Sequence, residues 1–217
     1  MITIVHLYPK ELGINGDVGN VMALAKRAEW RGMPLRVIDH DPGDDLPEVA
    51  DLVHIGSGPE SAQELVRGDL ARIAPRLSEW AAAGVPFLAI AAGWQLLGRT
   101  ITTLDDATIP GVGIFPTDAK LTARRVVDEY WDNGLAGFVN YGAETTPAAG
   151  ELVEFGASIA TNLHGPFLPM NPVWADRLLA RAAALAGVAM TAPDARTIEA
   201  DARAAHARDD IRGRLGR

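Results

Sequence analysis

The chain has 217 residues, 48% of them hydrophobic and 22% charged, a composition typical of a folded globular protein with one domain-sized core. Its formal net charge of −8 argues against a nucleic-acid binder, which would need a basic face. The absence of cysteine excludes disulfides, zinc–thiolate sites, cysteine-ligated iron–sulfur clusters and cysteine-based catalysis.

The N-terminal residues and the lengths of the apolar runs indicate where in the cell the protein is expected. The first residues form an apolar stretch that is too short for a signal peptide and lacks its basic start. No apolar run approaches the ~20 residues that a membrane span requires. We therefore expect a soluble, cytoplasmic protein with no membrane span.

The first half of the chain alternates short apolar runs with helix-length amphipathic segments, the pattern of βαβ units. Helices are expected from Asp17, from Glu60 to Ala83 with a kink or split at Pro75, and from Gly93 to Arg99. These elements predict an α/β fold with a mostly parallel, doubly wound sheet of the flavodoxin-like three-layer type. The predicted strands are Ile2–Leu7, Leu35–Ile38, Leu52–Ile55 and Val85–Ile90.

The second half of the chain has a different residue pattern. Short β-like pieces, turns and charges from Thr100 to about Gly156 predict a small antiparallel β extension, and late strands are expected at Phe138–Tyr141 and Ile159–Leu163. Asn171 followed by Pro172 predicts an N-cap and the first residue of a helix. Residues 1–193 would form the main domain. Residues 194–217 would be a charged helical tail, either solvated, which their composition favours, or docked on a partner.

The stretch from Pro86 to Gly98, PFLAIAAGWQLLG, has the outline of a nucleophile elbow. An apolar run ends at a cluster of small residues, and a helix pattern begins at once. Enzymes use this turn to hold a Ser or Cys at the end of a strand. At the tip of this turn stands Ala91, which can do no chemistry.

Three other stretches, residues 15–20, 56–63 and 163–166, also lie where loops follow strands. Taken singly, Asp17 is best explained as a helix cap and His164 as a structural histidine, while a simple strand-to-helix connection and a functional turn explain the glycine-rich stretch equally well. Together they supply what a thiol nucleophile needs, namely a base and backbone N–H groups for the oxyanion. Only the nucleophile is missing.

On these residues the sequence resembles the class I glutamine amidotransferase family in its CobB/CobQ-like branch, and within it the GatD-type glutaminase subunits of lipid II isoglutaminyl synthases. The resemblance runs along most of the chain. It is carried by the opening loop (12–20), the end of the first helix (27–32), the glycine turn (56–63), the elbow (89–98), residues 109–115 and, most specifically, residues 163–172.

The resemblance implies catalytic roles by position. Ala91 occupies the position of the family's catalytic Cys, His164 that of its base, and Asp17 is a candidate third member. Backbone N–H groups near Gly58 and Ala92 would stabilise the oxyanion.

The resemblance also implies ligands and partners. Arg124 would hold the L-glutamine substrate, with Arg125 as the alternative if the register slips by one, and Gln95 would contribute to the same subsite. The family passes ammonia from glutamine to a Mur-ligase-like (MurT-type) synthetase subunit in peptidoglycan precursor amidation. No metal or other cofactor is expected.

The chain departs from the family at several positions besides Ala91. Ala92 replaces a Gly, Trp94 a Tyr, and Ser57 the middle glycine of a triplet. These further changes favour natural divergence over an introduced Cys→Ala replacement. Two hypotheses remain open: a GatD-like subunit with a silent glutaminase, or a non-catalytic pseudo-amidase acting as scaffold, regulator or small-ligand subunit of a ligase. An unrelated flavodoxin-like binding domain would leave residues 163–172 unexplained.

Overall fold

The computed structural model describes residues 1–147, 150–164 and 166–217. Its main sheet has six strands in the order β2-β1-β3-β4-β10-β9, parallel throughout except for β9, which runs antiparallel at the edge. The strands are β1 (Ile2–Leu7), β2 (Leu35–His40), β3 (Leu52–Ile55), β4 (Phe87–Ile90), β9 (Leu152–Phe155) and β10 (Ser158–Thr161).

Helices cover both faces of this sheet, because alternate strand residues point to opposite sides. On one face Val5, Val53 and Phe87 pack against α2 (Glu60–Ala82) and α3 (Ala92–Leu97). On the other face Ile4 and Leu88 pack against α1 (Val18–Trp30) and α5 (Pro172–Leu185). The sheet thus lies between two layers of helices, which confirms the predicted three-layer α/β architecture.

The second helix is one continuous element, so of the predicted kink or split at Pro75 the split is wrong. A proline inside a helix removes one backbone hydrogen bond. Here Ile73 and Leu77, on either side of Pro75, are both buried in the same core. Packing on both sides of the proline keeps the two halves in one helix.

A second, five-stranded sheet forms the predicted β extension, in the order β11-β8-β7-β5-β6. It is antiparallel except for the β5–β7 pair. Residues 159–163 do not make the single strand that was predicted: Asn162 breaks the run, so β10 joins the main sheet and β11 the second. The strands are β5 (Thr100–Thr102), β6 (Thr108–Pro110), β7 (Asp118–Asp132), β8 (Leu135–Thr146) and β11 (Leu163–His164).

Asn171 precedes α5 as predicted, but its side chain does not cap the helix. Its Oδ1 accepts the Ala136 N–H at 3.0 Å, and its Nδ2 donates to the carbonyls of Ala136 and Phe167. Asn171 thereby joins β8 to the short helix α4 (Phe167–Met170). The backbone N–H and carbonyl of Ala136 in β8 are buried and need hydrogen-bond partners, whereas water can reach the N–H groups in the first turn of α5.

The last helix, α6 (Ala195–Arg214), packs on its own chain rather than standing free in solvent. Thr197, Ala204 and Ile211 are buried on one face, and Asp194 caps the N-terminus by accepting the Thr197 N–H at 2.9 Å. The solvated-helix interpretation of the tail is therefore wrong for this face. No helix in the described parts of the chain is long and apolar enough to cross a membrane.

Candidate active site

The elbow predicted at Ala91 is present in the backbone. Strand β4 ends at Ile90, α3 begins at Ala92, and the residue between them has φ 43° and ψ −101°. A non-glycine residue in such a region costs about 1–3 kcal/mol and is typical of functional turns. The Ala91 N–H donates to the Thr161 carbonyl at 2.8 Å, which anchors the turn to β10. The strained geometry is kept although the side chain is inert.

Two glycines allow the loops around the elbow to converge. The Gly93 N–H donates to the Gly56 carbonyl at 3.1 Å, and a Cβ on Gly93 would lie 2.7 Å from that oxygen. A Cβ on Gly56 would lie 2.1 Å from the Leu12 carbonyl oxygen. Any side chain at either position would therefore push the opening loop, the glycine turn and the elbow apart.

Asp17 and His164 form a buried pair. The His164 Nδ1 lies 2.9 Å from the Asp17 Oδ1, and both side chains are almost fully inaccessible to solvent. Asp17 makes no side-chain cap on α1, so the helix-cap interpretation is wrong. Its second oxygen, Oδ2, accepts the Ser57 N–H at 3.0 Å instead. The carboxylate therefore orients the imidazole and ties it to the glycine turn.

The other nitrogen of His164, Nε2, is buried and has no hydrogen-bond partner among the described residues. A base oriented by a carboxylate through Nδ1 uses Nε2 toward its reacting group. The pair thus has the arrangement that a catalytic base requires. Gly165, which follows in the sequence motif, lies outside the described residues.

Two further histidines, not predicted from the sequence, lie behind Asp17. His54 places Nε2 at 3.2 Å from the Asp17 carbonyl oxygen and Nδ1 at 3.0 Å from the Leu88 carbonyl oxygen. Its ring stacks on that of His6, with centroids 5.2 Å apart. Burial lowers the pKa of each to about 4, so both rings are neutral at pH 7. The signal that could have revealed them is a histidine inside each of two paired apolar strands, because His6 and His54 are register partners.

A small cavity of about 60 Å³ lies beside the tip of the elbow. It is far smaller than the roughly 300–1,000 Å³ of a typical ligand pocket, so a molecule of the size of glutamine requires lining side chains to move. Its lining includes Gly58, Ala91, Ala92, Gln95, Arg125 and Asn140. Most of the predicted site residues are therefore brought together here.

Arg125 lines this cavity and Arg124 does not. The Asn140 Oδ1 accepts hydrogen bonds from the Arg125 Nη2 at 3.0 Å and Nε at 3.2 Å, which hold the guanidinium at the cavity wall. Of the two registers considered from the sequence, the structure therefore favours Arg125.

His164 lines a different cavity, of about 520 Å³, together with Asn15 and Phe138. Asn140 borders both cavities, and its Nδ2 donates to the Asn15 Oδ1 at 3.3 Å. Ala91 and His164 thus line separate cavities that share Asn140 in their walls. No group of three or more His, Asp or Glu side chains in the described residues is arranged to hold a metal ion.

Comparison with known proteins identifies the family. Residues 3–172 match the model of the CobB/CobQ-like glutamine amidotransferase domain. The chain belongs to this family.

Curated relatives include the GatD subunits of lipid II isoglutaminyl synthase (glutamine-hydrolyzing) from two bacteria. The chain is 31% identical over 210 residues to that of Staphylococcus aureus (strain N315), covering 86% of both chains. It is 25% identical over 208 residues to that of Streptococcus pneumoniae (strain ATCC BAA-255 / R6), covering 83% of this chain and 80% of the relative. The chain is therefore a GatD-like class I glutamine amidotransferase by descent.

Solved structures agree on the fold. A glutamine amidotransferase crystal structure superposes with a TM-score of 0.51 at 17% identity, covering 85% of this chain and 99% of that one. A glutamine amidotransferase of Thermotoga maritima gives a TM-score of 0.51 at 13% identity, covering 99% and 94%. In the chain described here, nearly all of α5 and all of α6 lie beyond residue 172, where the match to the family model ends.

Proposed function

We propose that this protein is a GatD-like subunit that binds glutamine beside a Mur-ligase-like synthetase in peptidoglycan precursor amidation, and that its own glutaminase is silent. The observation that carries the proposal is the strained elbow at Ala91 together with the buried Asp17–His164 pair. Both features of an acyl-transfer site are kept, and the nucleophile is absent. A cytoplasmic location belongs to the same proposal.

The chemistry shows what the alanine removes. In an active site of this kind the base takes the Cys proton, and the thiolate sulfur bonds to the side-chain amide carbon of glutamine. The C–N bond then breaks, and ammonia leaves with the proton returned by the imidazolium. Water finally cleaves the thioester to give glutamate and the free thiol. Loss of the nucleophile in a comparable site costs about 10⁶-fold in turnover.

A second candidate is a pseudo-amidase that acts only as a scaffold or regulator of a ligase supplied with free ammonia. The changes at Ser57 and Ala92, next to the elbow, favour it because they exceed what the loss of one nucleophile requires. The two candidates differ in glutamine binding. A retained subsite binds glutamine without turnover, whereas a pure scaffold does not bind it.

Restoring the nucleophile tests the first candidate. The Ala91→Cys variant is expected to release ammonia from glutamine at a rate at least 100-fold above that of the unaltered chain, measured by a coupled ammonia assay. The backbone at this position already has the elbow geometry, so the thiol needs no rearrangement of the turn.

The control is the double variant Ala91→Cys/His164→Ala, which keeps the thiol and removes the base. It should lose most of the restored rate. A folded Ala91→Cys variant with no hydrolysis above the unaltered chain, with and without a Mur-ligase-like partner, would contradict the proposal.

A further inference from the structure

The hydroxyl of Ser57 is directed at the backbone of the elbow. Its Oγ accepts the N–H of Ala92 in a long hydrogen bond of 3.4 Å, and the side chain is buried. Ala92 is the first residue of α3, so its N–H lies in the helical turn whose N–H groups lack partners within the helix. Ser57 therefore occupies a donor that the rest of the helix leaves available.

That donor has a specific use in acyl transfer. The negative charge that develops on the substrate oxygen is stabilised by preorganised N–H groups, one of them following the nucleophile position. An N–H that already donates to a neighbouring hydroxyl is not preorganised for the oxyanion, because the existing bond must break first. The hydroxyl thus competes with the substrate for the same hydrogen.

The fold does not need this hydroxyl to hold the turn. The backbone of Ser57 is already fixed on both sides, since its N–H donates to the Asp17 Oδ2 at 3.0 Å and its carbonyl accepts the Ile14 N–H at 3.2 Å. Gly56, immediately before it, is anchored to Gly93. Removal of Oγ leaves these contacts intact, so the Oγ–N–H bond is an addition to a turn that is otherwise complete.

We propose that Ser57 is a second block on glutamine hydrolysis, independent of Ala91, because its hydroxyl occupies the oxyanion donor at Ala92. This inference rests on the proposed function, which places the chemistry at the elbow. The site then lacks one free oxyanion donor as well as its nucleophile, so restoring the thiol alone restores only part of the rate.

The test compares Ser57→Ala with the matched control Ser61→Ala, which removes an exposed serine hydroxyl four residues further on. In the Ala91→Cys background, Ser57→Ala is expected to raise kcat by about tenfold or more with little change in KM, because an oxyanion donor acts in the transition state. Ser61→Ala should leave both constants unchanged. The Ser57→Gly variant repeats the comparison in case the alanine methyl crowds the cavity.

A second readout does not depend on activity. In the otherwise unaltered chain, Ser57→Ala should move the amide proton resonance of Ala92 upfield, since the N–H loses its acceptor, and Ser61→Ala should not. An unmoved Ala92 resonance, or equal kcat for Ala91→Cys with and without the Ser57 hydroxyl, would overturn the proposal. If no variant hydrolyses glutamine, the proposed function fails, and the resonance alone decides whether the hydroxyl occupies the donor.

Discussion

Two adjacent arginines in β7 face different surroundings, and only one is positioned to hold a ligand. Arg125 lines the cavity beside Ala91, and Asn140 fixes its guanidinium. The pairing of β7 with β8 shifts register between Leu121 and Val126. In a regular strand neighbouring side chains alternate between faces, so an irregularity of this kind decides which of two adjacent residues enters the site.

We expect the Arg125→Ala variant to weaken glutamine binding by about 10- to 100-fold, the range for a lost hydrogen bond to a charged group. The matched variant Arg124→Ala should change the Kd by less than about twofold. Titration calorimetry on both variants checks this. A larger loss from Arg124→Ala than from Arg125→Ala would place the substrate carboxylate elsewhere.

The motifs of the candidate site could be found in the sequence, whereas their mutual arrangement could not. Ala91, Asp17 and His164 stand in short motifs whose physical requirements are local. The choice between Arg124 and Arg125 depends on a register irregularity, and the proposed role of Ser57 depends on the direction of one hydroxyl. Neither leaves a trace in spacing or composition. Nor does the sequence indicate that Ala91 and His164 line separate cavities bordered by Asn140.

At the scale of elements, α6 is joined to the body by a partly buried ionic network. Arg27 of α1 donates from Nη1 to the Asp201 Oδ1 at 2.6 Å, and from Nε and Nη2 to both oxygens of Asp176 at 2.8 Å. The Arg31 Nη2 also donates to Asp176, at 2.6 Å. At the far end of the helix, Arg214 pairs with Glu129 of β7 at 2.7 Å.

The docked face of α6 has a sequence signal that composition hides. Thr197, Ala204 and Ile211 are its buried residues, and they recur every seven positions, which places them on one side of a helix. Because two of them are small, mean hydropathy is low and the segment resembles a solvated helix. A narrow contact stripe combined with ion pairs is enough to dock it.

Loss of the Arg27–Asp201 contact should weaken this docking. We expect Asp201→Ala to lower the free energy of unfolding by about 1–2 kcal/mol, since a buried guanidinium loses one of its two carboxylate partners. Asp209→Ala, an exposed acid on the same helix, should change it by less than about 0.5 kcal/mol. Urea unfolding of the two variants gives the comparison. Equal effects would mean that the network does not hold α6.

At the scale of the whole molecule, two buried neutral histidines make stability depend on pH. Burial lowers the pKa of His6 and His54 to about 4, against an unfolded value of about 6.5. The unfolded chain therefore binds protons that the folded chain does not bind between these values. Their stabilising effect is fully present above pH 6.5 and is lost progressively as the pH falls toward 4.

Between pH 7.5 and pH 5 we expect the free energy of unfolding to fall by about 2 kcal/mol for each of the two histidines, from this linkage. His54→Gln should reduce the difference between the two pH values, because one titrating ring is removed. His206→Gln, at an exposed histidine in α6, should leave the difference unchanged. Urea unfolding at both pH values checks this, and equal differences in all three proteins would show that the buried rings are not responsible.

We propose that the molecule as it stands is a glutamine amidotransferase that keeps its glutamine subsite and has lost its turnover. Titration calorimetry of the unaltered protein with L-glutamine tests this most directly, because one experiment reports binding heat and any continuing heat of hydrolysis. We predict a saturable binding isotherm with no sustained turnover heat. Absence of binding at millimolar glutamine, or steady hydrolysis by the chain with Ala91 in place, would contradict the account.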